Sequence, residues 1–145
     1  MMQTALLRKL VSAIGLIVAI TIAVAVPSGY FIVGYSNLSE TTSFKARLNA
    51  ARVAQYIYTH DVMWQYQRLR LADLIQLPAA GEQSVGQKIY DQAEKIVLDD
   101  DAALPAPVIS RRAPIVVAGS TEGALVVETS LRKTLYQTWL VALMS

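Results

Sequence analysis

Few side chains in this sequence could do chemistry, and three of them are types that commonly line a ligand pocket. Arg111 and Arg112 are adjacent in a β-branched segment, so on a strand they face opposite sides. One of the two could offer a bidentate guanidinium to a carboxylate. Tyr90 could add a hydroxyl and Trp64 an aromatic wall, so we take Trp64, Tyr90 and Arg112 as candidate ligand-binding residues. A tryptophan at such a position is more often an anchor of the hydrophobic core, and that interpretation stays open for Trp64.

Catalytic and metal-binding side chains are scarce. The chain has no cysteine and one histidine, His60, which leaves no thiolate chemistry, no disulfide and no multi-histidine metal site. The acidic run at Asp99, Asp100 and Asp101 lacks the alternating spacing and the glycine of a calcium loop, so a solvated turn is the simpler interpretation. We therefore expect no enzyme activity, no metal and no cofactor.

The distribution of charge divides the chain into three parts. Residues 10–39 include no formally charged side chain, and all 11 acidic residues lie between Glu40 and Glu128. About 20 apolar helical residues cover the hydrocarbon core of a bilayer, and charged groups are costly there. The sequence therefore predicts a cytoplasmic N-terminus at residues 1–9, a transmembrane helix at residues 10–35 and a water-exposed domain at residues 36–130.

A cleaved signal peptide is the alternative for the N-terminal segment. Arg8 and Lys9 precede the apolar run, and Ala23 and Ala25 would suit a cleavage site. The apolar character continues as far as Val33, which is longer than a signal peptide needs, so we favour an uncleaved anchor. A secreted, cleaved binding domain remains the alternative.

Residues 135–145, at the C-terminus, are again apolar. These eleven residues are too few to span a bilayer, and we interpret residues 131–145 as the truncated start of a second transmembrane helix. Arg132 and Lys133 would then contact lipid headgroups. A short docked helix is the other interpretation.

The water-exposed part changes from helical to strand-like patterning. Residues 36–77 contain no glycine or proline, which predicts one long helix that ends before Pro78 and Gly81. Apolar residues at steps of three, four and seven predict its buried stripe: Phe44, Leu48, Ala51, Val53, Ile57, Trp64, Leu71 and Ile75.

The second half of the water-exposed domain has the two-residue alternation and the turn residues that are typical of antiparallel strands. Segments 88–91 and 95–98 predict one hairpin, and segments 108–117 and 123–129 predict a second pair. Pro114 indicates an edge position for its strand, because proline cannot donate to a sheet ladder. The expected fold class is α+β: a transmembrane helix continuing into a long helix, a small antiparallel sheet, and a return helix that starts a second membrane segment.

These segments, in this order, resemble the extracytoplasmic input region of bacterial membrane sensors. The resemblance is carried by the tryptophan segment MWQY, the hairpin KIYDQAEKIVLDD and the stretch RRAPIVVAGSTEGALVVETSL. Such PAS-like or single-Cache domains occur in sensor histidine kinases and in diguanylate cyclases or phosphodiesterases with GGDEF or EAL domains. Many relatives have a proline before the tryptophan segment, where this chain has Thr59, His60, Asp61 and Val62.

The resemblance implies a sensory input module of a bacterial inner membrane, with a periplasmic domain that passes a signal to a cytoplasmic kinase or cyclic-di-GMP enzyme absent from these 145 residues. It also implies a homodimer and a small ligand or periplasmic protein as partner, besides the lipid bilayer. With a net charge of +2 and no basic cluster longer than two residues, no nucleic-acid partner is expected. A membrane-anchored structural or adaptor domain, complete at this length, is the alternative.

Overall fold

The computed structural model describes residues 2–60, 63–76, 85–100 and 103–144, and it has the predicted α+β composition. The elements are α1 (Met2–His60), a 3-10 helix (Trp64–Tyr66), α2 (Arg68–Ile75), β1 (Val85–Asp91), β2 (Ile96–Asp100), β3 (Val108–Val117), β4 (Ser120–Ser130) and α3 (Arg132–Met144). The chain divides into two compact units, one formed by residues 1–35 with 133–145 and the other by residues 36–132.

The first unit contains the apolar part of α1 and nearly all of α3. The most apolar 18-residue window of α1 has a mean hydropathy of 2.6 and is not buried, so by length and composition this helix could cross a membrane. The helix continues through Pro27 without a break. Within this unit, a Cβ atom added to Gly34 would lie 2.8 Å from Cγ2 of Thr134. The two helices therefore approach each other closely at a residue without a side chain.

The second unit is built on a four-stranded antiparallel sheet in the order β2-β1-β4-β3. Because β3 lies at the edge, Pro114 occupies the edge strand that the sequence predicted. The predicted hairpins are confirmed, and β3 has the predicted bounds, whereas β4 starts earlier, at Ser120, after a tight turn at Ala118 and Gly119.

One face of the sheet, here called the helix face, forms the hydrophobic core. Side chains alternate across a strand, so Ile89, Leu125 and Val127 all point to this face, and each is fully buried. They belong to one hydrophobic cluster with the buried apolar residues of α1, which are Ala46, Ala50, Val53 and Ile57 among the described side chains. The opposite side of the sheet is called the outer face.

The single long helix predicted over residues 36–77 is wrong, because α1 ends at His60. The chain resumes at Met63 in a left-handed conformation (φ 60°) and forms the 3-10 helix before α2 begins at Arg68. This break lets the chain change direction, so that α2 lies against β2 and buries Leu71 and Ile75. The predicted breakers Pro78 and Gly81 lie outside the described residues.

The predicted buried stripe is also partly wrong. Val53, Ile57, Trp64, Leu71 and Ile75 are buried as predicted, but Phe44, Leu48 and Ala51 are exposed. At 100° per residue, the exposed set lies on the side of α1 opposite the core contacts. The small residues Ala46 and Ala50 occupy the core side instead, where they allow α1 to approach the sheet closely.

Candidate functional site

Trp64 is a core residue of the second unit. Its side chain is 5% exposed and belongs to the same buried cluster as Leu71, Ile89 and Val127. The left-handed residue Met63 turns the chain inward, and Tyr56 of α1 donates a hydrogen bond to Gln67 Oε1 just after the 3-10 helix. This indole therefore packs between the helices and the helix face of the sheet, as its core interpretation predicted.

Tyr90 and Arg112 lie together on the outer face. Arg112 Cζ lies 5.6 Å from the centroid of the Tyr90 ring, a distance at which a cation is attracted to the ring face. The guanidinium also donates two hydrogen bonds to Glu94, one of them at 3.0 Å to Oε2. The arrangement is a bidentate ion pair with its cation close to the tyrosine ring.

The β1–β2 turn positions Glu94 for this pair. The Asp91 carboxylate accepts hydrogen bonds from the backbone N–H groups of Ala93 (2.8 Å) and Lys95 (2.9 Å), so it holds the turn closed. Glu94 itself adopts φ 58°, a left-handed conformation that few residues other than glycine take. The acidic side chain is thereby directed toward Arg112.

The ion pair favours the charged form of both partners. Hydrogen bonding from Arg112 holds the pKa of the Glu94 carboxyl below its ordinary value of 4.5. The same hydrogen bonding raises the pKa of Arg112. Since both groups are exposed to solvent, the pair is screened, and its direct contribution to stability is small.

The three predicted site residues do not form one site. Tyr90 and Arg112 meet on the outer face, whereas Trp64 is buried on the helix face. Arg111 is the arginine that turns toward α1, where its Nη2 donates a hydrogen bond of 2.5 Å to Ser39 Oγ. The sequence predicted that the two arginines face opposite ways, but strand alternation alone could not say which of them faces the helix.

Buried polar residues on the helix face were missed by the sequence analysis. Asn49 Nδ2 donates to Gln87 Oε1 at 2.7 Å, and Gln87 Nε2 donates to the carbonyl oxygen of Ile75 at 2.9 Å. The hydroxyl oxygens of Thr42 and Thr129 lie 3.1 Å apart and share a hydrogen bond. The sequence did contain a signal for two of them. Thr42 and Asn49 lie seven residues apart, a spacing that places them on one side of a helix together with the core positions.

An open groove runs between α1 and the edge strand β3. Its volume is about 380 Å³. The lining includes two arginines, Arg47 and Arg112, and otherwise consists of small or apolar residues: Ala50, Ala51, Ala54, Ala113, Pro114 and Val116. Of the two arginines, Arg112 is already paired with Glu94.

Among residues 2–60, 63–76, 85–100 and 103–144, no group of three or more histidine, cysteine or acidic side chains is placed to hold a metal ion. The ring of His60 stacks on Tyr56, with the ring centroids 4.4 Å apart. Asp99 lies on β2 rather than in a turn and contacts Lys88 at 4.0 Å. Asp101, the last residue of the acidic run, is outside the described part of the chain.

Comparison with known proteins gives no relative. No family model, no curated protein and no solved structure matches this chain.

Proposed function

We propose that this chain is a membrane-anchored sensory input module. Its α+β unit would receive a signal outside the cytoplasm and pass it through apolar helices to an effector in the cytoplasm, a kinase or a cyclic-di-GMP enzyme. In this proposal α1 anchors the module in the inner membrane, α3 is the start of a second membrane segment, and the domain has a PAS-like or Cache-like role. The resemblance in sequence order and the α+β fold support this role.

The observation that carries the proposal is the buried hydrogen bond between Thr42 and Thr129. Thr42 belongs to α1, the helix that contains the apolar segment. Thr129 belongs to β4, and only Ser130 and Leu131 separate it from α3, which begins at Arg132. The bond thus joins the two elements of the sheet domain that continue directly into the apolar helices.

The connection between β4 and α3 is short and is fixed by hydrogen bonds at Ser130 and Leu131. Ser130 Oγ accepts a hydrogen bond from the Arg132 N–H at 3.2 Å, so it caps the start of α3. Leu131 N–H donates to the carbonyl oxygen of Pro107 at 2.8 Å. With no glycine between residues 124 and 145, a displacement of β4 relative to α1 would be passed into α3 instead of being absorbed by a flexible linker.

The test joins the complete chain, after Ser145, to the HAMP and kinase portion of a bacterial sensor kinase and measures reporter output in cells. Thr42→Val and Thr129→Val each remove the shared hydrogen bond while keeping a β-branched side chain of similar size. Thr42→Val also removes the hydrogen bond from Thr42 Oγ1 to the carbonyl oxygen of Leu38 at 2.7 Å, so Thr129→Val is the more selective of the two. We expect each substitution to shift basal output several-fold. The matched control is Thr41→Val, at the exposed neighbouring position of the same helix, which should leave output unchanged.

Orientation is tested in the same cells with single cysteines, because the natural chain has none. A cysteine at Ala93, in the exposed β1–β2 turn, should react with a membrane-impermeant maleimide in intact cells. A cysteine at Gln3 should react only after lysis. Output that matches the unaltered fusion in both valine variants, each shown to be folded, would overturn the sensory proposal, whereas reaction at Gln3 in intact cells would overturn the orientation.

A further inference from the structure

The sheet domain, residues 36–132, has one end at which the chain both enters and leaves it, here called the exit end. The hydrogen bond between Thr42 and Thr129 marks this end. Going backwards from Thr42, the chain leaves the domain at Ser36, and going forwards from Thr129, it leaves at Arg132. Both connections to the apolar helices therefore start from the same end of the domain.

Arg111 reaches the exit end from β3. Its Nε and Nη2 both donate to Ser39 Oγ, at 3.2 Å and 2.5 Å, and its Nη1 donates to the carbonyl oxygen of Ser110 at 3.3 Å. Ser39 precedes Thr42 by nearly one turn of α1. The guanidinium therefore lies on the exit side of the contact between Thr42 and Thr129.

This guanidinium lacks an anionic partner. Arg111 is half-buried, yet among the described residues it donates hydrogen bonds only to a hydroxyl and a carbonyl oxygen and forms no ion pair. Arg112, the next residue of the same strand, has the carboxylate of Glu94. Because removing a charged group from water is costly unless an opposite charge compensates it, the surroundings of Arg111 favour an added anion.

The unused donors of Arg111 suit a phosphate group. A guanidinium carries five N–H groups, and three of those of Arg111 are already used, which leaves one on each terminal nitrogen. Donors on the two terminal nitrogens of one guanidinium can bind two oxygens of a phosphate at once. Arg111 can therefore keep its contact with Ser39 while it binds an anion.

A second guanidinium group belongs to the exit end. Arg132 is exposed and forms no ion pair within the described part of the chain. Its backbone is held next to β4, because its N–H donates to Ser130 Oγ at 3.2 Å. Only Ser130 and Leu131 separate it from Thr129, so its position at the exit end is fixed by the sheet.

Two acidic residues lie near these arginines in the chain. Glu128 contacts Lys88 at 4.0 Å, so its charge is offset. Glu40 is exposed and has no ion pair among the described residues. With Arg111 and Arg132 against Glu40, the exit end has a net positive charge and attracts anions.

The exit end is close to the bilayer when the apolar part of α1 spans it, so this inference rests on the membrane anchoring in the proposed function. Ser39 follows residue 35 by only four residues, and even a fully extended chain of that length covers no more than about 14 Å. This limit holds whatever the angle between the two units. Lipid phosphates lie just beyond the hydrocarbon core. We propose that Arg111, supported by Arg132, binds the phosphodiester of an anionic phospholipid headgroup.

A lipid is favoured over a dissolved phosphate as the source of this group. Two cations in contact with solvent hold a dissolved ion weakly, because water and salt screen exposed ion pairs. A headgroup is already confined to the bilayer surface beside the exit end, which raises its effective concentration. A soluble phosphate ester that competes equally well would contradict this choice.

The test uses the complete chain in neutral detergent micelles and counts the bound lipids by native mass spectrometry. The probes are phosphatidylglycerol and a diacylglycerol with the same acyl chains, which lacks the phosphate. We expect the chain to retain phosphatidylglycerol in clear preference to diacylglycerol. Dissolved glycerol 3-phosphate at the same concentration should displace no lipid, because it has no acyl chains to hold it at the micelle surface.

Substitutions compare the two adjacent arginines of β3. Arg111→Gln should raise the dissociation constant for phosphatidylglycerol about tenfold, the loss typical of removing a charged hydrogen-bond donor. Arg111→Lys keeps the charge without the paired donors and should give a smaller increase. Arg132→Gln should raise the constant by about threefold, because this side chain is exposed. The matched control is Arg112→Gln, which removes an equal charge from the outer face and should leave the constant unchanged.

Three results would overturn the proposal. They are equal retention of the two lipids, an Arg111→Gln variant that binds phosphatidylglycerol no more weakly than Arg112→Gln does, and displacement of the lipid by glycerol 3-phosphate. Circular dichroism identifies any variant that does not fold, and in that case Arg111→Lys and Arg132→Gln decide. Sedimentation of the complete chain with cell membranes tests the anchoring separately, and no effector is present, so failure here is distinguishable from failure of the proposed function.

Discussion

Asn49 and Gln87 form a buried amide pair that ties three elements together. Asn49 of α1 donates to Gln87 of β1 at 2.7 Å, and Gln87 donates to the Ile75 carbonyl oxygen at the end of α2 at 2.9 Å. Each side chain is 7% exposed. The pair therefore fixes where both helices lie on the helix face, in a region where hydrophobic contacts alone would permit sliding.

Replacing Asn49 by alanine should destabilise the sheet domain. The change leaves Gln87 Oε1 buried without its donor, which typically costs about 1–3 kcal/mol. We expect a loss of that size in the free energy of unfolding, measured by urea titration of the complete chain in detergent with circular dichroism. Gln55→Ala, at an exposed position of the same helix, is the control. An equal response of the two variants would contradict the prediction.

The Glu94–Arg112 pair predicts a dependence of stability on pH. Because the pKa of Glu94 in the folded protein is below its ordinary value of 4.5, the pair stabilises the fold above that pH. This stabilisation is lost as the pH falls through the lower pKa of the folded state. Unfolding midpoints measured from about pH 7 down to about pH 3 should therefore fall less steeply in Glu94→Gln than in the unaltered chain.

The control for this prediction is Glu122→Gln on β4, whose carboxylate accepts hydrogen bonds from Gln92 and Ser120 but has no arginine partner among the described residues. It should leave in place the pH dependence that comes from the Arg112 pair. Identical slopes for Glu94→Gln and Glu122→Gln would show that the Arg112 pair contributes nothing measurable.

The close approach of Gly34 and Thr134 predicts a steric effect in the first unit, which contains the apolar part of α1. Gly34→Ala places a methyl group 2.8 Å from Thr134 Cγ2, and such overpacking typically costs about 1–3 kcal/mol. Thr134→Ser removes Cγ2. Combined with Gly34→Ala, it should therefore recover most of the stability that Gly34→Ala alone loses. The measurement is unfolding in mixed micelles, followed by circular dichroism.

Gly29 provides the matched control for Gly34, because a Cβ atom there would meet nothing within 4 Å. Gly29→Ala should be neutral or slightly stabilising, since alanine favours a helix over glycine by about 1 kcal/mol. A Gly34→Ala variant as stable as Gly29→Ala would show that the helices do not need this close approach.

The burial of Trp64 predicts how much stability the sheet domain loses when this side chain is removed. Trp64→Ala should cost about 3–5 kcal/mol in the free energy of unfolding, because it removes a large buried side chain. Trp64→Phe should cost less, since it keeps an aromatic ring. Trp139→Phe in α3, where the side chain is 58% exposed, is the control and should leave the unfolding midpoint of the sheet domain unchanged. Wild-type stability of Trp64→Ala would contradict the core assignment.

The sequence alone determined the apolar N-terminal helix, the strands and the edge position of β3. These features depend on local chemistry: an unbroken apolar run, alternating β-branched residues, and a proline that cannot donate to a ladder. The α+β class followed from their order. The opposite directions of Arg111 and Arg112 were also predictable, because strand geometry fixes alternation whatever the surroundings.

Only the tertiary structure decided which side of each element is buried. Phe44 and Leu48 have the same periodicity and hydrophobicity as Val53 and Ile57, yet one pair is exposed and the other forms the core. Periodicity defines a row on a helix but not the surface that the row meets, and that depends on contacts between residues far apart in the chain. For the same reason, the fold alone placed Tyr90 beside Arg112 and separated both from Trp64.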